Sequence, residues 1–167
     1  MTSNTLARIR NFVLLVMVQV LIFSQIHLFG YATACVYLIF ILKLPRHTSS
    51  NEIIIWSFLF GLTTDIFCST PGINAAAATA MGFVRNTILS IFTHKGLPDD
   101  FIPGIRSLKW GGYIIYSLIC VSIFYTALFI LELFTISYVS TLLLSVTSST
   151  LLTMVFVTVI ECFSRTK

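Results

Sequence analysis

The sequence predicts an all-α integral membrane protein with about six transmembrane helices in one compact bundle, and three observations carry that prediction. Composition comes first: 57% of the 167 residues are hydrophobic and only 10% are charged, with a mean hydropathy of +0.97. Too few polar residues remain to cover a water-soluble domain. Pattern comes second. Charged residues cut the chain into apolar blocks, Asn11 to Leu42, Ile53 to Cys68, Gly72 to Phe92, Trp110 to Leu131 and Leu133 to Ile160, of the order of the ~20 residues that a membrane-spanning helix needs, or longer. The third observation is where the basic residues fall between those blocks.

Taken in order, the block Asn11 to Leu42 is too long for one ordinary span. Ser24-Gln25-Ile26-His27 and Gly30 interrupt it near its middle, so it reads as a hairpin of helices over about 9–28 and 30–43. The second of these is short. A re-entrant segment is the alternative, since irregular backbone at membrane depth is allowed where protein or a water-filled cavity covers it. Arg8 and Arg10 ahead of an apolar run, followed by Ala32-Thr33-Ala34-Cys35, imitate a secretory signal. The run is longer than the ~7–15 residues of a signal core, however, and position 32 is Ala where a lipoprotein signal would usually have Leu, so an uncleaved first helix is expected.

The third span is expected over about 52–68 and the fourth over about 71–92. Ser69-Thr70-Pro71-Gly72 separates them, with a hydroxyl residue and then Pro as a helix-start signature. Residues 93–109 form the longest polar stretch and read as a solvated loop. The fifth span follows over about 110–132 and the sixth over about 138–161. All of these belong to a single membrane domain.

With six spans and the N-terminus inside, Arg8, Arg10, Lys43, Arg46, Lys95, Arg106, Lys109, Arg165 and Lys167 all fall on the cytoplasmic side. Nine of the ten Lys and Arg residues thus obey the positive-inside rule, and the tenth, Arg85, lies within a span. Merging the first hairpin into one helix would export Lys43 and Arg46. Both termini are therefore expected in the cytoplasm. The net charge of +4 reads as topology signals with acidic lipid headgroups as neighbours, not as a nucleic-acid surface.

Asp65 and Arg85 are the only ionisable residues set well into expected spans, and each needs a partner or water there. Their helices are adjacent and antiparallel. At ~1.5 Å per residue, Asp65 stands about 20 Å and Arg85 about 10 Å above the cytoplasmic ends of their helices. Either the two pair through the long arginine side chain, or Arg85 snorkels to the cytoplasmic face and Asp65 sits near the outer interface. Asn74 opens the fourth span, followed by a run of small residues from Ala75 to Gly82. Ala78 and Gly82, four residues apart, mark a helix-packing seam, to which Gly61 and Gly72 also belong. The seam faces either another helix of the same chain or a partner's helix.

Thr141, Ser145, Ser148, Ser149 and Thr153 give the sixth span a weakly polar stripe, a pattern commoner in packing than in conduction. Gln19, Gln25, His27 and Glu132 are isolated polar residues of ambiguous role. Cys35, Cys68, Cys120 and Cys162 are scattered singly, and they read as small packing residues with no zinc site and no disulfide framework. The sequence contains no H-E-x-x-H, G-x-S-x-G or P-loop pattern. A non-enzymatic protein without cofactor or metal is expected.

The stretch from Phe58 to Ala76, with Gly61-Leu62 three residues ahead of Asp65, then Pro71-Gly72, then a small-residue helix closing at Arg85, resembles the rod-shape-determining membrane protein family MreD. Chain length, the basic residues before the first helix and the basic C-terminal tail are similar across the chain. The resemblance implies a non-enzymatic subunit of the cell-elongation and peptidoglycan-synthesis machinery in the bacterial inner membrane. Its implied partners are an MreC-like periplasmic scaffold and, indirectly, MreB-like filaments, a RodA-like polymerase and a penicillin-binding transpeptidase. It also implies a fold similar to the substrate-binding subunit of energy-coupling-factor transporters, and that supplies the alternative function, a vitamin-type substrate-binding subunit with Tyr113, Tyr116 and Tyr125 lining a pocket. On the adaptor reading, Asp65, Asn74 and Arg85 are the expected polar centre or partner contact.

Overall fold

The computed structural model describes residues 10, 12–17, 19, 35–93, 101–132 and 139–164. Every regular element among them is helical: a stretch at 12–17, then α1 (Leu38–Leu42), α2 (Ser50–Cys68), α3 (Ile73–Phe92), α4 (Ile105–Glu132) and α5 (Val139–Ser164). Four stretches are long and apolar enough to cross a membrane: Ser50–Cys68, Ile73–Phe92, Ser107–Glu132 and Leu143–Cys162, of 19, 20, 26 and 20 residues. At ~1.5 Å per residue they extend about 28 to 39 Å, against a hydrocarbon core of ~30 Å. Most of the expected first span, about 9–28, lies outside the described residues, as do Gln25, His27 and the connections around residues 94–100 and 133–138.

Local chemistry sets the helix ends. Ser49 Oγ accepts the Glu52 amide at 3.3 Å, so α2 starts on a serine cap at Ser50. It ends where Ser69 turns left-handed, φ 56°, with the amides of Ser69 and Thr70 both donating to the Asp65 carbonyl. The fourth span was expected to begin at Pro71 behind a Ser or Thr cap; α3 instead begins at Ile73, with Gly72 at the cap position. Gly72 has φ 80°, a left-handed conformation that glycine takes without strain and that ends any helix continuing back to Pro71.

Consecutive long helices pack side by side, α2 on α3, α3 on α4 and α4 on α5. The small residues let the first pair approach closely. A Cβ on Gly61 would fall onto the backbone of Asn74 and Ala75, and one on Gly82 would strike the Ser57 side chain. Ala77 and Ala78 are fully buried in the same region. The helical stretch at 12–17 lies against α2, with the Phe12 ring 4.2 Å from Phe60 and 5.6 Å from Trp56.

In place of a full second helix over 30–43, the described part of that segment holds the five residues of α1, with residues 30–34 outside the description. All five are buried, and α1 touches α2, α3 and α4. Five residues rise about 7.5 Å, too little to cross a bilayer. Tyr37 leads into this piece and stacks on Phe60, centroids 5.6 Å apart and planes at 7°, with the Phe124 ring edge-on at 6.1 Å. α1 is thus a short helix used as core.

At the end where α2 begins, the Arg46 amide donates to the Phe101 carbonyl at 2.9 Å, tying the loop after α1 to the one before α4. Lys43, Arg46 and Lys109 all stand at this end. α4 itself is broken at Lys109, φ 59° and ψ 164°, a region that costs a non-glycine residue roughly 1–3 kcal/mol. The expected fifth span, 110–132, starts just beyond the break.

Close approach at Gly61 sets a clear expectation. Gly61→Ala forces a methyl group into the α3 backbone and should lower stability in detergent by about 1–3 kcal/mol, read from thermal or denaturant unfolding. Gly111→Ala, with nothing within 4 Å of the added carbon, should leave stability unchanged or slightly raised.

Candidate functional site

The buried polar groups gather at helix ends. Asp65, 3% exposed, lies in the last turn of α2 and turns its carboxylate onto the start of α3. Oδ1 accepts the Thr70 hydroxyl at 2.5 Å and both the backbone and side-chain amides of Asn74 at 3.0 Å; Oδ2 accepts the Ala75 amide at 2.8 Å. The Asn74 side chain also donates to Thr70 Oγ1 at 3.3 Å. Gly72 at the cap position has no side chain to offer, so Asp65 from the preceding helix does the capping. Its negative charge sits at the positive end of the α3 dipole. Gly61, one turn before Asp65, is what lets α2 come near enough for this.

Arg85 is fully buried and serves the opposite kind of terminus. Nη2 donates to the carbonyls of Leu42, at 3.1 Å, and Leu44, while Nε donates to Tyr116 Oη at 3.0 Å and Nη1 to Asn86 Oδ1 at 2.9 Å. The Tyr116 hydroxyl donates in turn to the Leu42 carbonyl at 3.3 Å. Leu42 is the last residue of α1, so a guanidinium closes the negative end of that short helix. Among the described residues Asp65 and Arg85 share no partner, and about ten residues of α3, or about 15 Å, lie between the Ala75 amide that Asp65 binds and Arg85 itself. The alternative in which they pair across the α2–α3 contact is not the one adopted.

The other end of the α1 segment is also satisfied by side chains. Gln19 Oε1 accepts the Val36 amide at 2.8 Å; the Cys35 amide reaches Tyr125 Oη at 3.0 Å and Thr153 Oγ1 at 3.4 Å, and these two hydroxyls lie 2.5 Å apart. Tyr125 and Tyr116 stand nine residues apart on α4, so the stretch from Cys35 to Leu42 covers about 13 Å of depth. Protein therefore surrounds a half-length helical piece whose amides and carbonyls are bonded at both ends, the condition under which interrupted backbone survives in hydrocarbon.

A third buried charge lay outside the expected site. Glu161, 8% exposed, places Oε1 3.4 Å from the Ile105 amide, at the start of α4, and Oε2 2.7 Å from Lys43 Nζ. Gly104 makes room for it, since a Cβ there would lie 2.8 Å from Oε1.

Of the residues expected to form a polar centre, the structure brings together Asp65 and Asn74, and it places Arg85 apart. Gly61 and Gly82 line the α2–α3 contact and Ala78 is fully buried, whereas Gly72 supplies a turn and makes no close contact. Within the hydroxyl stripe of α5, Ser145, Ser149 and Thr153 are buried, and the Thr141 side chain lies outside the description. Of the three tyrosines expected to line a pocket, Tyr113 and Tyr116 are ring neighbours, centroids 6.5 Å apart; Tyr116 bonds Arg85, Tyr125 bonds the Cys35 amide, and among the described residues the buried Tyr113 hydroxyl has no hydrogen-bond partner. The working roles of Thr70, Tyr116, Lys43 and Glu161 were missed. Lys43 and Glu161 could have been matched, since each stands at the same expected membrane face. Among the described residues no three His, Cys, Asp or Glu side chains come together as metal ligands. Compared with protein-family models, with curated proteins and with solved structures, the chain matches none of them.

This geometry makes a charge-swap experiment decisive. Asp65→Arg and Arg85→Asp should each sharply reduce accumulation in membranes. Combining them should not rescue it, because each charge answers a different helix end; a coupling below about 0.5 kcal/mol is expected between sites this far apart. Restored accumulation in the double variant would show a direct pair.

Proposed function

We propose that this chain is a non-enzymatic membrane subunit of the bacterial cell-elongation machinery, of the MreD kind, acting as a helix-docking adaptor for an MreC-like periplasmic scaffold. One observation carries the reading most. Of the residues on which the resemblance rests, Gly61, Asp65 and Asn74 form one clamp that fixes the α2–α3 hairpin, with Gly72 as its turn, while Arg85 stands apart on Leu42. A motif of this kind specifies the shape of a hairpin and holds no group free to react. The faces of α2 and α3 turned away from the clamp carry exposed apolar side chains such as Phe58, Leu62, Ile66 and Phe83, suited to lipid or to another transmembrane helix.

The proposal includes the finer topology: six spans, the second one interrupted at α1, in the inner membrane with both termini cytoplasmic. It extends through the scaffold to MreB-like filaments, a RodA-like polymerase and a penicillin-binding transpeptidase. No nucleic acid and no cofactor enter it. A second reading, a vitamin-type substrate-binding subunit similar to those of energy-coupling-factor transporters, is favoured by the fully buried Tyr37 hydroxyl, which among the described residues has no hydrogen-bond partner and would welcome a polar ligand atom.

Affinity capture from native membranes tests the adaptor. A single-span periplasmic scaffold should co-purify, and depletion should turn rods into spheres. Normal rods after depletion, with no such partner recovered, would reject it; a small molecule retained in the purified protein would favour the second reading. Topology is tested separately by reporters fused next to Arg46, where cytoplasmic activity is expected and an exported signal would remove one span.

A further inference from the structure

We propose that Lys109 is an attachment point for an anionic lipid headgroup, held at the membrane surface by the backbone turn that breaks α4. Beyond the break at Lys109, α4 runs on over residues 110–132, about 34 Å of helix against ~30 Å of hydrocarbon. Its surplus length stands among the headgroups. The Lys109 end carries Trp110, 46% exposed, a residue type that settles between headgroups and acyl chains. Ile102, 51% exposed, adds a second apolar side chain on the preceding loop. Lys109 itself is exposed, and among the described residues it forms no ion pair. Glu161, the buried carboxylate at the start of α4, is engaged with Lys43 and the Ile105 amide.

The backbone supplies the second observation. At φ 59° and ψ 164°, Lys109 occupies a region essentially reserved for glycine. Gly111 and Gly112 follow closely, and a turn placed on either would be free of strain. The turn falls on the lysine instead. It is clamped from both sides: Phe101 and Ile105 are buried ahead of it, Tyr113 is buried after it, and the Arg46 amide fastens Phe101. A strained residue that is also exposed, cationic and beside an interfacial tryptophan is suited to one chemistry above others, a phosphate held at the depth of the ammonium. The lipid leaflet is the source of phosphate at that depth. The inference stands whichever function the chain performs.

The experiment is reconstitution of the full chain into nanodiscs of phosphatidylcholine alone or with phosphatidylglycerol, followed by denaturant unfolding. Phosphatidylglycerol should stabilise the wild type. Lys109→Gln should lose that response by a factor of about five in the unfolding equilibrium constant, the worth of one basic residue at an anionic surface. Lys109→Gly should be more stable than Lys109→Gln in phosphatidylcholine, because the strain is relieved, and equally unresponsive to phosphatidylglycerol. It therefore decides the matter alone if the glutamine variant fails to fold. Lys109→Arg should keep the response. An undiminished response in the glycine or glutamine variant overturns the proposal. So does an equal stabilisation of the wild type by inorganic phosphate in phosphatidylcholine discs, which would make the site one for free anions.

Discussion

An amide or carbonyl left unpaired in hydrocarbon costs several kcal/mol, and among the described residues this protein meets that constraint at three helix ends with three buried charges. Asp65 closes the start of α3, Arg85 the end of α1 and Glu161 the start of α4. In each case the sign of the charge opposes that of the helix end. The same contact solves two problems at once. A carboxylate or guanidinium inside a bilayer is unfavourable by ~2.5–3.5 kcal/mol on insertion scales, and a bare helix end is unfavourable too; joined, each supplies what the other lacks. Charge-assisted hydrogen bonds of roughly 1.5–3 kcal/mol apiece offset the desolvation.

The rest of the architecture follows from where those ends must meet. Asp65 reaches the amides of Asn74 and Ala75 only because Gly61 removes the side chain that would keep α2 away from the α3 backbone. Arg85 reaches Leu42 only because α1 stops halfway through the bundle. α1 in turn can stop there because Gln19, Tyr125 and Thr153 take the amides on its other side. The Gln19 side chain and side chains from α3, α4 and α5 thus hold one five-residue helix. The polar groups of the bundle are gathered on this piece and its neighbours, and the outer faces are left apolar.

Much of this was legible in the chain. Apolar blocks located the four long helices to within a few residues, because a spanning helix must be apolar along its whole length and the bilayer sets that length. Asp65 and Arg85 stood out because charge inside such a block is rare. Ala78 and Gly82 marked a seam because only small side chains permit close helix contact. The start of α3 was misplaced at Pro71, since the cap comes from a residue seven positions before Gly72 and no local spacing rule reaches that far. The possible pairing of Asp65 with Arg85 failed for a related reason. Opposite charges on adjacent helices attract attention, but backbone groups are equally good partners and leave no mark in a sequence.

The sequence by itself therefore determined the solvent, the long helices and which residues had to be buried with partners. All three depend on composition and on periodicities of a few residues, which read directly along the chain. Only the tertiary structure decided what those partners are: Thr70, Asn74 and Ala75 for Asp65, Leu42, Leu44 and Tyr116 for Arg85, Lys43 and Ile105 for Glu161. Those choices depend on which helix end lies beside which side chain. That is set by the packing of five elements together and by the short, buried course of α1.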